Sequence, residues 1–130
     1  MTDPQSTRTV LVVDAANVIG SVPDGWWQDR AGAAARLHAA LTRAALRYDQ
    51  VILVLEGKAR AGVAAGVTHG TRSSLTCVHA QGKGDDEIVE QCRAAAAVGA
   101  QVTLATADRG LIARVPPAVT IVGPRSIPRR

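Results

Sequence analysis

The chain has no Phe, one Tyr and two Trp, so aromatic residues are only 2% of its 130 residues. A core built from it must rest on Val, Ile, Leu and many Ala. Ala packs elements closely, which suits helices lying tight on a sheet. Only two cysteines occur, Cys77 and Cys92. They form no C-x-x-C pair and have no His at zinc spacing, which excludes a disulfide framework and a zinc module. Both are expected as buried, reduced core residues, one in a strand and one in a helix. No apolar run approaches the ~20 residues of a membrane span. Residues Met1 to Arg8 are polar and lack the apolar stretch of a signal peptide. The expected compartment is the cytoplasm. Lysine is scarce too: of the 15 Lys and Arg, all but Lys58 and Lys83 are Arg.

What is present is a 47% apolar fraction, sufficient for one sizeable core in one domain. The net charge is +4. Arginine binds phosphate through a bidentate fork, so an Arg-rich, basic surface fits a nucleic-acid partner. Compositional bias toward Ala, Gly and Arg accounts for the same numbers equally well.

Short apolar runs alternate with helical or loop segments. Thr9 to Val13 reads as a first strand, apolar from Val10 on and therefore buried on both faces. Asp14 to Gly25 reads as a loop punctuated by Gly20 and Pro23-Asp24-Gly25. After Trp26-Trp27, a helical pattern spans about Asp29 to Arg47, with Leu37, Leu41, Ala44, Ala45 and Tyr48 on one side and Arg36, Arg43 and Arg47 on another. Gln50 to Leu55 is a second strand, ending in Glu56-Gly57. Lys58 to Ser74 is rich in Gly, Ala and basic residues and reads as a mobile loop with one short helix. Leu75 to His79 is a third strand. Gln81 to Asp86 turns into a helix that runs to about Val98, with an acidic first turn and Gly99 as its stop. Gln101 to Thr106 is a fourth strand, Arg109 to Val115 a short helix and Val119 to Val122 a fifth strand. Residues 1–8 and the Pro- and Arg-rich end, from position 124 on, are expected as flexible tails. The alternation predicts an α/β fold, a three-layer α/β/α sandwich with a five-stranded parallel sheet and right-handed crossovers.

Acids stand at or just after four strand ends: Asp14, Glu56, Asp85-Asp86 and Asp108. Carboxyl ends of parallel strands share one edge, where α/β proteins place ligands. Carboxylates gathered there repel one another, and a hard divalent cation with oxygen ligands relieves the repulsion. Each acid also has a structural reading. Asp14 suits an Asx turn, Asp85, Asp86 and Asp108 suit helix N-termini, and Glu56 suits a solvated position beside Lys58. Other α/β sites are excluded. No G-x-G-x-x-G follows the first strand, Gly82-Lys83-Gly84 lacks the Ser or Thr of a P-loop, and no G-x-S-x-G is present. Ala16 stands where a haloacid-dehalogenase-like phosphatase has its second Asp.

With these residues in place, the chain resembles the PIN-like superfamily, in particular NYN and YacP-like ribonuclease domains, over nearly a whole such domain. Asp14-Ala15-Ala16-Asn17 looks like their D-x-x-N motif. Lys83-Gly84-Asp85-Asp86 looks like K-G-x-D or A-D-D at a helix start, and Thr106-Ala107-Asp108 looks like [ST]-x-D. The resemblance implies a ribonuclease dependent on Mg²⁺ or Mn²⁺, with Asp14, Asp86 and Asp108 as central ligands. Asp85 and Glu56 would be secondary ligands or water positioners. Asn17 would hold Asp14 or touch phosphate, and Thr106 would orient a ligand or water. Glu56 departs from the commoner Asp at its place. RNA is the expected partner, gripped by Lys58, Arg60, His69 and Arg72, with Arg109 on a carboxylate or phosphate. Trp26 and Trp27 either stack on a base or pin their loop. A catalytically inactive RNA-binding module on the same fold and a nucleotide phosphohydrolase remain alternatives. A homodimer and an antitoxin-like partner, the latter as in some PIN-like families, are both compatible with the chain.

Overall fold

The computed structural model describes residues 7–44, 46–70 and 72–129. Its elements are β1 (Thr9–Asp14), α1 (Ala15–Gly20), α2 (Arg30–Arg43), β2 (Gln50–Leu55), β3 (Gly66–His69), β4 (Ser74–His79), α3 (Gly84–Ala97), β5 (Gln101–Ala105), α4 (Arg109–Ile112) and β6 (Thr120–Val122). Short 3-10 turns occupy Trp26–Gln28, Gly57–Gly62 and Pro124–Ser126.

The strands form one sheet in the order β3-β4-β2-β1-β5-β6. All neighbours are parallel except β3 and β4. Side chains alternate across it, as the pleat requires. Leu11, Val13, Leu53 and Cys77 pack on one face with Ala34, Leu37 and Leu41 of α2. Val10, Val12, Ile52 and Leu104 pack on the other with Ile88, Val89 and Cys92 of α3 and Leu111 of α4. Three α/β/α layers result, as expected. Both cysteines are free and buried. Burial pushes the Cys92 thiol up to about 11, which keeps it unreactive. Among the described residues, no helix is long and apolar enough to cross a membrane.

Four features differ from the sequence reading. The sheet has six strands, not five, because part of the expected loop Lys58–Ser74 is the antiparallel edge strand β3. All four residues of β3 are exposed, Val67 at 60%, so it leaves no buried apolar pattern to read. The expected loop after β1 opens with a helix. Asp14 caps α1, and Val18 and Ile19 bury its inner side. Helix α2 ends at Arg43, four residues before the expected Arg47, and the chain turns so that Leu46 and Tyr48 pack on the core. Ala45 lies outside the described residues, as do 1–6 of the expected frayed start. Finally, residues 124–129 are not a free tail: Ile127 is buried, Arg125 donates to the Ser21 carbonyl at 3.2 Å and Arg129 pairs with Asp24 at 3.7 Å.

Chain direction fixes where a site can form. From β1 the chain builds outward through β2 to β4, then returns to β5 on the opposite side of β1. The crevice between the carboxyl ends of β1 and β5 is thus the topological switch point, where open α/β sheets bind ligands.

Candidate active site

Asp14 ends β1 at this crevice and is only 5% exposed. One carboxylate oxygen accepts the Asn17 amide N–H at 3.3 Å, and the other accepts the Thr106 hydroxyl at 2.8 Å. Thr106, 1% exposed, follows β5 and accepts the Asp108 amide N–H at 3.1 Å on the same oxygen. The Asn17 side-chain oxygen accepts the Ala107 amide at 2.8 Å. The two motifs therefore clamp each other across the switch point. Asp108 caps α4 by accepting the Leu111 amide at 3.1 Å. Asp108 is the helix cap that its structural reading expected, whereas Asp14, read as an Asx turn, caps a helix instead. Each carboxylate keeps unused lone pairs.

Glu56, just past β2, accepts the Gly84 amide at 2.9 Å. A Cβ on Gly84 would stand 3.0 Å from the Glu56 carboxyl carbon and Oε1, so glycine permits this approach. Gly84→Ala is expected to displace the Glu56 carboxylate while keeping the fold, lowering any cation-dependent activity by about 10-fold, the scale for lost supporting contacts. Circular dichroism and Mn²⁺ titration would check both halves.

The carboxylates feel one another. Burial raises Asp14 above the ordinary 3.8; the Thr106 hydroxyl and Asn17 amide partly offset this, and the Asp85 and Asp108 charges add to the rise. Asp85 is raised by burial first, then by Asp108 and Glu56, with Arg114 opposing. Folded values above the unfolded ones give stability that is complete below about 3.9 and lost as pH rises through the folded values. In EDTA, the Tm of the wild type should therefore fall relative to an Asp14→Asn, Asp85→Asn variant as pH rises from about 4 toward 7. A gap that widens the other way would mean the acids are held ionised.

The other candidates divide. Asp86 is exposed and turned away, its carboxylate 2.7 Å from the Arg114 guanidinium. Asp85, not Asp86, faces Asp14, Asp108 and Glu56. Lys58 is exposed at the same edge, in the turn after β2. Arg60 is beside it but donates to the Gly57 and Ala80 carbonyls at 3.1 and 3.3 Å. Arg109 is exposed next to Asp108. Arg72 and His69 are not at this edge. β3 runs antiparallel to β4 and carries the chain back, so His69 pairs with Ser74, which pairs with Gln50 at the amino end of β2. Expecting Arg72 to grip substrate assumed a loop that stayed near the acids. Trp26 is half-buried against the core, edge-on to Trp27 at 5.8 Å and under the Arg30 guanidinium at 5.4 Å. Arg30 and Arg114 were not singled out by sequence. Arg114 lies beyond α4, and no spacing rule ties it to Asp86.

The donor set is all carboxylate oxygen, the chemistry of Mg²⁺ and Mn²⁺. As the side chains stand, no group of three or more His, Cys, Asp or Glu among the described residues would hold a metal ion. The Thr106→Val variant probes the clamp. It leaves an acceptor of Asp14 without its donor and is expected to cost about 1–3 kcal/mol of stability, measured by urea unfolding, with Thr106→Ser restoring it.

The chain shares the fold of Rae1 (YacP) from Bacillus subtilis. The two structures superpose with a TM-score of 0.51 at 15% identity, over 90% of this chain and 70% of Rae1. No protein-family model and no curated protein matches the sequence. The likeness to Rae1 shows the fold, a mostly parallel α/β sheet covered by helices on both faces.

Proposed function

We propose that the chain is a ribonuclease that hydrolyses RNA phosphodiester bonds with Mg²⁺ or Mn²⁺. The observation that supports this most is the clamp at the switch point, where the Thr106 hydroxyl joins Asp14 to the Asp108 backbone beside Asp85 and Glu56. The fold shared with Rae1 and the motif resemblance to NYN and YacP-like ribonuclease domains agree with it. Asp14, Asp85 and Asp108 would hold the cation, with Glu56 as a further oxygen ligand or water positioner. The carboxylates would draw together or reach it through waters, since Mg²⁺ keeps several of its own. The cation would supply a water of lowered pKa and stabilise phosphoryl charge. The residues of the chain would do the rest. Thr106 and Asn17 fix the orientation of Asp14, while Lys58 and Arg109 bind backbone phosphates on either side.

One observation favours a second reading, an RNA-binding module without catalysis: Asp14 and Asp108 already serve as helix caps. The test is cleavage of single-stranded and folded RNAs with Mn²⁺, against EDTA. Cleavage that requires Mn²⁺ is expected. A protein that stays inert with Mn²⁺ on diverse RNAs, yet binds them regardless of metal, would shift the reading to the binding module.

A further inference from the structure

Beside the acid cluster, on the α1 side of the sheet, lies a cleft of about 370 Å³. Its apolar lining is Ala15, Ala16, Ile19 and Trp26. Arg30 and Glu56 supply its polar groups. Ligand sites share this design, an apolar concavity of roughly 300–1,000 Å³ with a few placed polar groups. Trp26 is held in position by the Arg30 guanidinium on one side of its ring and by its perpendicular contact with Trp27. An aromatic face fixed before binding costs little ordering entropy when a ligand stacks on it. Glu56 belongs to both places: it lines the cleft and, through the Gly84 amide and the charge of Asp85, borders the acids.

We infer that this cleft is a nucleobase subsite, in which an unstacked base of the RNA lies against Trp26 while its phosphate reaches the carboxylates. Flat heterocycles suit an apolar lining that includes an indole, and base–aromatic stacking tolerates any sequence because every base has a π-face. Arg30 and Glu56 then offer donors and acceptors to the base edge. The subsite would set which nucleotide sits next to the cleaved bond, a role distinct from the phosphate contacts of Lys58 and Arg109. The inference rests on the reading of the chain as an RNA-acting protein.

Binding can be read without cleavage. In a Trp27→Phe background, Trp26 is the sole indole, and EDTA removes divalent cations. Titration with the 5′-monophosphates of adenosine, guanosine, cytidine and uridine is expected to quench its fluorescence saturably, and ribose 5-phosphate, which lacks a base, is expected to leave it unchanged. Ala16→Leu, at an exposed helix position that fills the cleft, should weaken the nucleotides about tenfold or more, the scale of one lost stacking contact. Equal quenching by ribose 5-phosphate, or affinities indifferent to Ala16→Leu, would overturn the subsite. The two readings fail separately. Nucleotide quenching without Mn²⁺-dependent cleavage keeps the subsite and removes the nuclease. Cleavage without quenching does the reverse.

Discussion

Asp14→Asn is expected to lower Mn²⁺-dependent RNA cleavage by about 10³-fold while leaving the apoprotein at least as stable as the wild type. The magnitude follows from the several kcal/mol of charge stabilisation that a bound cation contributes, at 1.36 kcal/mol per factor of ten. The direction of the stability change follows from burial. Asp14 lies out of water between the charges of Asp85 and Asp108, and its carboxyl is raised for that reason. An amide removes the charge and keeps an oxygen for the Asn17 amide or the Thr106 hydroxyl. Asparagine is also as good a helix cap as aspartate. The substitution therefore separates the helix cap seen at Asp14 from its proposed role as a cation ligand. Initial rates with Mn²⁺ and thermal unfolding in EDTA measure them independently. Full activity in Asp14→Asn would leave Asp14 as the cap of α1 and nothing more.

How far the sequence could be read depended on burial. β1 and β2 were legible because strands covered on both faces are nearly continuous apolar runs, as Val10 to Val13 and Val51 to Leu55 show, and β4 and β5 because Leu75 and Cys77, and Val102 and Leu104, alternate as buried residues. β3 was not, since Gly66 to His69 faces solvent throughout and is a strand only because β4 offers an open edge. That hidden strand also misplaced Arg72, because one antiparallel turn moves a residue from one end of the sheet to the other. α1 was missed because six residues ending in Gly20 hold too few turns to show a period. The site was more legible than the loops around it. Asp14, Asn17, Thr106 and Asp108 sit at ends of parallel strands, whose carboxyl ends must share one edge. The cleft beside Trp26 was not legible, because its lining comes from α1, the Trp26 turn, the start of α2 and the turn after β2, which only folding brings together.

Adjacent acids at a helix start are the one case in which the sequence held an unused signal. Asp85 precedes Ile88, Val89 and Cys92 by three, four and seven residues, the spacing of a single helix face. All three of those residues are buried against the sheet, so Asp85 is on the inward face of α3. Asp86 shares its face with Glu90 and Arg93, which are exposed. The ion pair of Asp86 with Arg114 is open to solvent on both sides, and such pairs contribute about 0–1 kcal/mol. Asp85→Asn is accordingly expected to reduce Mn²⁺-dependent cleavage by about 10²–10³-fold, the loss of a charge at the cation, whereas Asp86→Asn should change it by no more than about 3-fold. Mn²⁺ titration of the two variants by calorimetry gives the same comparison without a substrate. The opposite ranking, with Asp86 essential and Asp85 dispensable, would mean that α3 turns on its axis when the cation binds, breaking the Arg114 pair.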